Sequence, residues 1–387
     1  MGIVWLFGCG HPLGAGELVD SGDSGAPELY ADCQAENLGD REAFFDVASV
    51  REVRIALSEA ALEELQDDPK TYVEGDVTLD GTTLLHVAVR LKGNSSFQDF
   101  DGKPAFKLKL NEYCPGQKYA GQKRVTLNNM TTDASQSQEV VNYQLWAAAG
   151  LFGPRASYAQ VFVNEELFGL YANVESTDSE WVEERYADAT GQLWEASDTA
   201  EFDAAGLAGW ELKAGVDDRA PLAAVAAALD AEGDVYGNLD AVLDMDQFLS
   251  YWAWKSVIGD DDGYPWNPND VFLYGDPELG GRFQFSPWGF DEGWKDYVTW
   301  DNAPGRLATA CLAEAACSAR IRDRVEEAVG AFEAVDTAGF ATAAWALSAP
   351  LLDGDPRRPF TVAEVEAARV ELAAAIAGRA ARMRGRL

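Results

Sequence analysis

The fold and the chemistry of this chain are most constrained by the stretch Gly259-Asp-Asp-Asp-Gly-Tyr-Pro-Trp-Asn-Pro-Asn-Asp-Val-Phe-Leu-Tyr274 and by Phe283-Gln-Phe-Ser-Pro-Trp-Gly-Phe-Asp291. Helical spacing of apolar residues over 245–258, capped by Asp244 or Asp246, leads into the aspartates of the first stretch. Apolar runs that read as a short hairpin follow, and the second run ends at Asp291. The pattern predicts a helix, an acidic loop and a hairpin in direct succession.

The polar residues of these stretches indicate a phosphate and metal site. Asp262, Asn267 and Asp291 come in the order of the base and the metal ligands in protein-kinase phosphoryl transfer. That reaction needs a carboxylate at the attacking hydroxyl and oxygen ligands for Mg²⁺. We expect Asp262 in the first role, and Asp291 with either Asn267 or Asn269 in the second. The plainer interpretation is an acidic turn whose asparagines are turn formers.

A predicted strand carries two lysines on one face. Over residues 105–110 apolar side chains alternate with Lys107 and Lys109, so the strand would bury one face and present both cations on the other. Either lysine is a candidate for contacting phosphates. The plainer interpretation is a solvated polar face of a sheet.

A small-residue turn comes just before this strand, in Lys92-Gly-Asn-Ser-Ser96. Backbone N–H groups in such a turn can approach phosphate oxygens closely. Lys92, Asn94 and Ser95 are therefore further candidate phosphate contacts.

Five segments occur in the order seen in the spore-coat protein H (CotH) kinase-like family, which this chain resembles from about residue 50 to its C-terminus. They are Val89-Arg-Leu-Lys-Gly-Asn-Ser-Ser96, Lys103-Pro-Ala-Phe-Lys-Leu-Lys-Leu110, Asp133-Ala-Ser135, Val161-Phe-Val-Asn-Glu-Glu-Leu-Phe-Gly-Leu-Tyr171 with Glu175, and residues 262–291. The resemblance implies an atypical protein kinase that uses ATP and a divalent metal to phosphorylate Ser or Thr on secreted or coat proteins.

The resemblance also implies roles for single residues. Asp262 matches the catalytic aspartate of the family, Asn267 or Asn269 its metal-binding asparagine, and Asp291 its metal-binding aspartate. The chain departs from the family at Gly289, because many members have Trp-Asp-x-Asp where this chain has Trp-Gly-Phe-Asp. The departure removes one acidic ligand and leaves catalysis in question.

The sequence also predicts a helix cap and an ion pair. Asp133 or Ser135 is expected to cap a helix that ends at Gly150. Glu175 is expected to pair with a phosphate-binding lysine, as glutamates of kinases do.

Strand-like and helical patterns divide the chain into two parts, which predicts an α+β, kinase-like fold with two lobes. A β-rich lobe is expected over residues 46–175 and a helix-rich lobe over 176–387. The predicted strands are 53–57, 73–79, 84–91, 106–110, 125–127 and 158–163, and the predicted helices are 222–229, 245–258, 319–332 and 361–383.

Charge excludes one class of partner. The chain of 387 residues has 65 acidic and 30 basic residues, a net charge of −35, which argues against binding nucleic acid. The same field would attract a basic, Ser/Thr-rich protein substrate. The alternative is that the acidic excess solvates the surface in a salty or crowded exterior.

The N-terminus and the cysteines predict export. Residues 1–9 resemble the end of a lipoprotein signal, with Cys9 as a lipid anchor, and residues 10–45 read as a flexible acidic tether. The four other cysteines suit two disulfides, Cys311 with Cys317 and Cys33 with Cys114.

Two functions follow from these patterns. The first is an exported protein kinase that depends on ATP and on Mg²⁺, with Mn²⁺ or Ca²⁺ as alternatives. The second is a non-catalytic surface, coat or adhesion protein that retains the fold.

Overall fold

The computed structural model describes residues 30–387 of the protein. The elements are β1 (Asn37–Leu38), α1 (Arg41–Phe44), β2 (Val50–Leu57), α2 (Glu59–Asp67), β3 (Val73–Leu79), β4 (Thr82–Lys92), β5 (Ala105–Lys109), β6 (Lys118–Tyr119), β7 (Arg124–Asn128), α3 (Gln138–Ala148), β8 (Ala156–Val163), β9 (Glu166–Glu175), α4 (Ser179–Arg185), β10 (Leu193–Ala196), β11 (Trp210–Ala214), α5 (Ala220–Asp230), α6 (Val235–Asp240), α7 (Met245–Ile258), β12 (Val271–Asp276), β13 (Arg282–Pro287), α8 (Arg306–Ala313), α9 (Ala315–Ala334), α10 (Thr337–Leu352) and α11 (Val362–Arg384).

The first half of the chain closes into a barrel with strand order β2-β3-β4-β5-β7-β9-β8. Strands β2 and β8 pair in parallel and close the barrel, whereas the other neighbours are antiparallel. The alternating pattern predicted for β5 is confirmed, because Phe106 and Leu108 are fully buried in the barrel interior. Five of the six predicted strands lie within strands of this barrel, and the sixth, 106–110, extends one residue beyond β5.

The second half is built from helices around a smaller antiparallel sheet of order β11-β10-β12-β13. A separate apolar core holds it together, with large aromatic side chains such as Trp146, Trp194 and Trp252 fully buried. The four predicted helices correspond to α5, α7, α9 and α11. The α+β class is therefore confirmed.

The predicted tether is wrong for its last part, because residues 30–45 belong to the folded structure. Strand β1 pairs with β6, and Arg41 Nε donates a hydrogen bond of 2.9 Å to the Ala120 carbonyl. Both predicted disulfides, Cys33–Cys114 and Cys311–Cys317, are present. The predicted signal at residues 1–9, with Cys9, and the rest of the tether lie outside the described residues.

A buried ion pair joins the barrel to the helical part. Lys103 Nζ, just before β5, lies 2.7 Å from Asp355 Oδ2 in the loop between α10 and α11. Asp355 also accepts hydrogen bonds from the backbone N–H groups of Leu170 and Arg357. Among residues 30–387, no helix combines the length and the apolar character needed to cross a membrane.

Candidate active site

A cavity of about 430 Å³ lies where the barrel faces the loop that follows α7. Its walls bring together residues that are far apart in the sequence. Of the predicted site residues, it is lined by Lys92, Asn94, Ser95, Lys107, Asp262, Asn269 and Asp291. The acidic loop and the lysine-bearing strand therefore meet at one place.

The acidic loop begins where α7 is terminated by Gly259, which has a left-handed φ of 74°. A side chain at this position would also collide with the Arg379 guanidinium, 2.9 Å from an ideal Cβ. Arg379 is buried and donates hydrogen bonds to the carbonyls of Ser256, Val257, Lys295 and Val298. One arginine of α11 thus fixes the end of α7 and the segment beyond Asp291.

A buried ion pair holds the backbone of Asp262. Lys255, in the last turn of α7, lies 2.6 Å from Asp260 Oδ2 and donates a second hydrogen bond of 2.8 Å to the Asp262 carbonyl. Asp260 Oδ1 accepts the Asp262 N–H at 2.9 Å. Burial raises the pKa of Asp260 to about 6, against the opposing charge of Lys255. Both backbone polar groups of Asp262 are therefore held by one ion pair.

Asn267 contacts Asp262 and does not line the cavity. Its side-chain N–H donates a hydrogen bond of 3.1 Å to Asp262 Oδ1, and the residue is exposed. Asn269 lies on the cavity wall, and its Oδ1 is buried without a hydrogen-bond partner among the described residues. Between the two asparagines, the structure places Asn269 where a ligand could use its oxygen.

Asp291 and Asp270 form the acidic wall opposite the barrel. Asp291 Oδ2 accepts a hydrogen bond of 2.6 Å from Thr132, and burial raises the pKa of Asp291. Burial and the neighbouring charges of Asp262 and Asp291 raise the pKa of Asp270. Sequence analysis missed Asp270, although it directly follows Asn269 in the quoted stretch.

Lys92 is linked to a glutamate of α3 through an asparagine. Lys92 Nζ donates to Asn128 Oδ1 at 2.5 Å, and the Asn128 amide donates to both oxygens of Glu139, at 2.8 and 3.0 Å. Burial and the charge of Asp291 raise the pKa of Glu139 to about 8. Sequence analysis missed Glu139, because it lies in a helix whose pattern is mainly apolar.

Asp133, one of the two residues predicted to cap helix α3, accepts hydrogen bonds at the start of that helix. Its carboxylate accepts backbone N–H groups of Ser137 and Gln138 at 2.6 and 2.7 Å, next to the first turn of α3. Ser135 donates its hydroxyl to the same carboxylate. The cap fixes the start of the helix that carries Glu139.

Two predicted site residues lie away from this cavity. Lys109 lines a neighbouring cavity of about 230 Å³ and forms an ion pair with Glu112 at 2.5 Å. Glu175 is fully buried and pairs with Arg185 at 2.5 Å and Arg155 at 3.4 Å. The described ion pairs of Glu175 are thus to Arg185 of α4 and to Arg155, which precedes β8, and not to the expected phosphate-binding lysine.

Lys107 of barrel strand β5 is a further cation of the cavity. Lys107 lines the cavity, and burial lowers its pKa to about 8 while Glu195 opposes the shift. The turn after Lys92 is held in place because the Ser96 carbonyl accepts the Asn129 amide at 2.9 Å. Gly93, with φ of 113°, permits the sharp turn that brings Asn94 and Ser95 to the cavity.

The side chains present suit a divalent cation bound together with phosphates. Within residues 30–387, no three acidic, histidine or cysteine side chains form a ready-made metal cage. Mg²⁺ is usually held by one or two carboxylates together with substrate phosphates, so such a cage is not required. The buried, unpartnered Oδ1 of Asn269 beside carboxylates is a donor set of the hard oxygen type that Mg²⁺ prefers.

The fold and cavity agree with a family assignment from the sequence. The model of the family described as CotH kinase protein matches residues 89–372, which is most of the chain. The chain belongs to this family. No curated protein matches the chain.

Proposed function

We propose that the protein is an exported protein kinase that transfers the γ-phosphoryl group of ATP to Ser or Thr of a secreted or surface protein, with a divalent metal. The observation that supports this most directly is that Asp262, Asp291 and Lys92 line one cavity. Bound ATP and its metal would supply the phosphoryl group and the neutralising charge. A kinase-like arrangement of two lobes, with the cavity between them, is part of this proposal.

The side chains of the protein divide the work between them. Asp262, fixed by Lys255, Asp260 and Asn267, would accept the proton of the attacking hydroxyl. Asp291 and Asn269 would hold the metal. Lys92 and Lys107, with the backbone N–H groups of the turn at residues 93–96, would bind phosphate oxygens.

The neighbouring cavity suits the nucleotide base. Lys107, Glu195, Lys213 and Trp288 line both cavities, so the two are adjacent. Phe272 and Trp288 present aromatic rings there, with centroids 6.0 Å apart. Thr177, in the segment that leaves the barrel, lines this cavity and has a buried hydroxyl without a hydrogen-bond partner. A flat heteroaromatic base with polar edges fits these surroundings.

A basic substrate fits the charge around Asp262. Asp198 and Glu292 line the same cavity as Asp262, in a chain with a net charge of −35. The two disulfides support export, because such bonds persist in oxidising compartments. Membrane attachment through Cys9 belongs to the same proposal.

Transfer of ³²P from ATP to Ser peptides, compared between the wild type and Asp262→Ala, tests the proposal. Loss of a general base lowers the rate by about 10²–10⁴-fold. Asp353→Asn, an exposed change in the loop between α10 and α11, serves as the control. Equal labelling by Asp262→Ala would remove that residue from its role.

Peptides that differ in flanking charge test the substrate class. Lys- or Arg-flanked Ser is expected to be the better substrate, with an advantage that falls as salt rises. A preference for acidic flanks would contradict the charge argument. Failure to bind any nucleotide or metal would favour the second candidate, a surface or adhesion protein that retains the fold.

A further inference from the structure

Gly289 is a position where no side chain fits. Its φ is 64°, and an ideal Cβ built there lies 2.3 Å from Asp270 Oδ2 and 2.9 Å from Asp270 Cγ. Real Cβ atoms do not approach other atoms so closely. Glycine is therefore required by the backbone conformation and by the Asp270 carboxylate together.

The hairpin of β12 and β13 explains this close approach. Val271 opposes Pro287 in the ladder, and just beyond it the Trp288 N–H donates 3.0 Å to the Asp270 carbonyl. The backbones at 270 and 289 are thereby brought side by side at the mouth of the hairpin. The carboxylate of Asp270 occupies the space in which a side chain of residue 289 would begin.

The residues around the Asp270 carboxylate favour the binding of a cation. Asp270 lines the cavity with Asp291 and Asn269, whose Oδ1 is buried and has no hydrogen-bond partner among the described residues. The charge of Lys255 opposes the rise in the pKa of Asp270, but Lys255 is already paired with Asp260. Two half-buried carboxylates and an amide oxygen are hard ligands of the kind that divalent cations take.

We propose that Asp270 is a ligand of the divalent metal and supplies the carboxylate that is absent at Gly289. This inference rests on the proposed function. The acidic ligand then comes from the residue just before the first strand of the hairpin, β12, instead of from the turn after the second strand, β13.

Mn²⁺ binding, measured by electron paramagnetic resonance with a non-hydrolysable ATP analogue present, tests the proposal. Asp270→Asn keeps the shape of the side chain and removes its charge, and the affinity for Mn²⁺ is expected to fall at least about tenfold. Asp353→Asn is the matched control, with unchanged affinity expected. If Asp270→Asn bound Mn²⁺ as tightly as the wild type, Asp270 would not be a ligand.

Thermal unfolding gives a second readout that separates ligand loss from misfolding. Without metal, Asp270→Asn is expected to melt near the temperature of the wild type, because the amide has the shape of the carboxylate and fits the same space beside Gly289. Saturating Mn²⁺ and analogue are expected to raise the melting temperature of the wild type more than that of Asp270→Asn. Equal rises would overturn this proposal alone, whereas no rise in the wild type would overturn the proposed function as well.

Discussion

Two buried lysine–carboxylate pairs have nearly the same geometry and different consequences. The Lys103–Asp355 pair is 2.7 Å long with side chains 2% and 0% exposed, and the Lys255–Asp260 pair is 2.6 Å long with both at 0%. They differ in what else they bind. Asp355 accepts backbone N–H groups from two segments of the fold, whereas Lys255 and Asp260 bind the carbonyl and the N–H of Asp262. Burial alone therefore does not distinguish a structural ion pair from one that positions a reacting group.

The largest effect is expected from breaking the structural pair. Lys103→Met leaves Asp355 charged and buried without its cation, which costs about 3–5 kcal/mol of unfolding free energy. Urea denaturation of the variant and the wild type measures the loss. Nucleotide affinity, measured where the variant remains folded, is expected to stay within about a factor of 2–3 of the wild-type value, because Lys103 lines neither of the two cavities. A fall in affinity with unchanged stability would reverse the assignment of the two pairs.

Local patterns in the sequence predicted strand β5 and helix α7. They did not predict the contacts between distant segments of the chain. The alternation in residues 105–110 predicted which face of β5 is buried, and the periodicity of residues 245–258 predicted α7. Closure of the barrel through β2 and β8 was not predictable, because parallel pairing of distant strands leaves no local signal. Partners separated by about 250 residues, such as Lys103 and Asp355, are hidden for the same reason.

The sequence predicted those residues of the candidate site that lie close together along the chain. Asp262, Asn269 and Asp291 lie in or beside a single hairpin, so their order along the chain became their arrangement in the cavity. Glu175 was assigned the wrong kind of partner, because its arginines come from outside its own strand. Asp270 was missed because its importance depends on the space at Gly289, which only the folded hairpin shows.

The second prediction concerns the pair that positions Asp262. Lys255→Met removes the hydrogen bond to the Asp262 carbonyl, so the backbone that carries the proposed catalytic carboxylate is no longer held in place. We expect a fall in kcat of about 100-fold, the scale of a misplacement near 1 Å, with KM for ATP within a few-fold of normal. Steady-state kinetics with Lys103→Met as the matched control measures the split. A change in KM for ATP with normal kcat would show that Lys255 serves nucleotide binding instead.

The third prediction concerns both ion pairs. It distinguishes the stability cost of an unpaired buried carboxylate from the loss of the hydrogen bond that positions Asp262. Adding Asp355→Asn to Lys103→Met, or Asp260→Asn to Lys255→Met, removes the unpaired charge and is expected to restore about 1–3 kcal/mol of stability in each case. The kcat of Lys255→Met with Asp260→Asn is expected to stay low, because the Asp262 carbonyl still lacks its donor. Recovery of kcat together with stability would mean that Lys255 acts through stability alone.

The smallest expected effect extends the comparison to Lys107, a half-buried lysine that forms no ion pair within residues 30–387. Burial lowers the pKa of Lys107 from 10.5 to about 8, so its ammonium is charged below that pH and neutral above it. If Lys107 binds phosphates, ATP affinity falls as the pH rises through about 8, by up to about tenfold per pH unit before other groups intervene. Lys107→Arg remains charged throughout and is expected to flatten the profile between pH 7 and 9. Isothermal titration across this range measures both slopes, and parallel slopes would show that the titrating group is another residue.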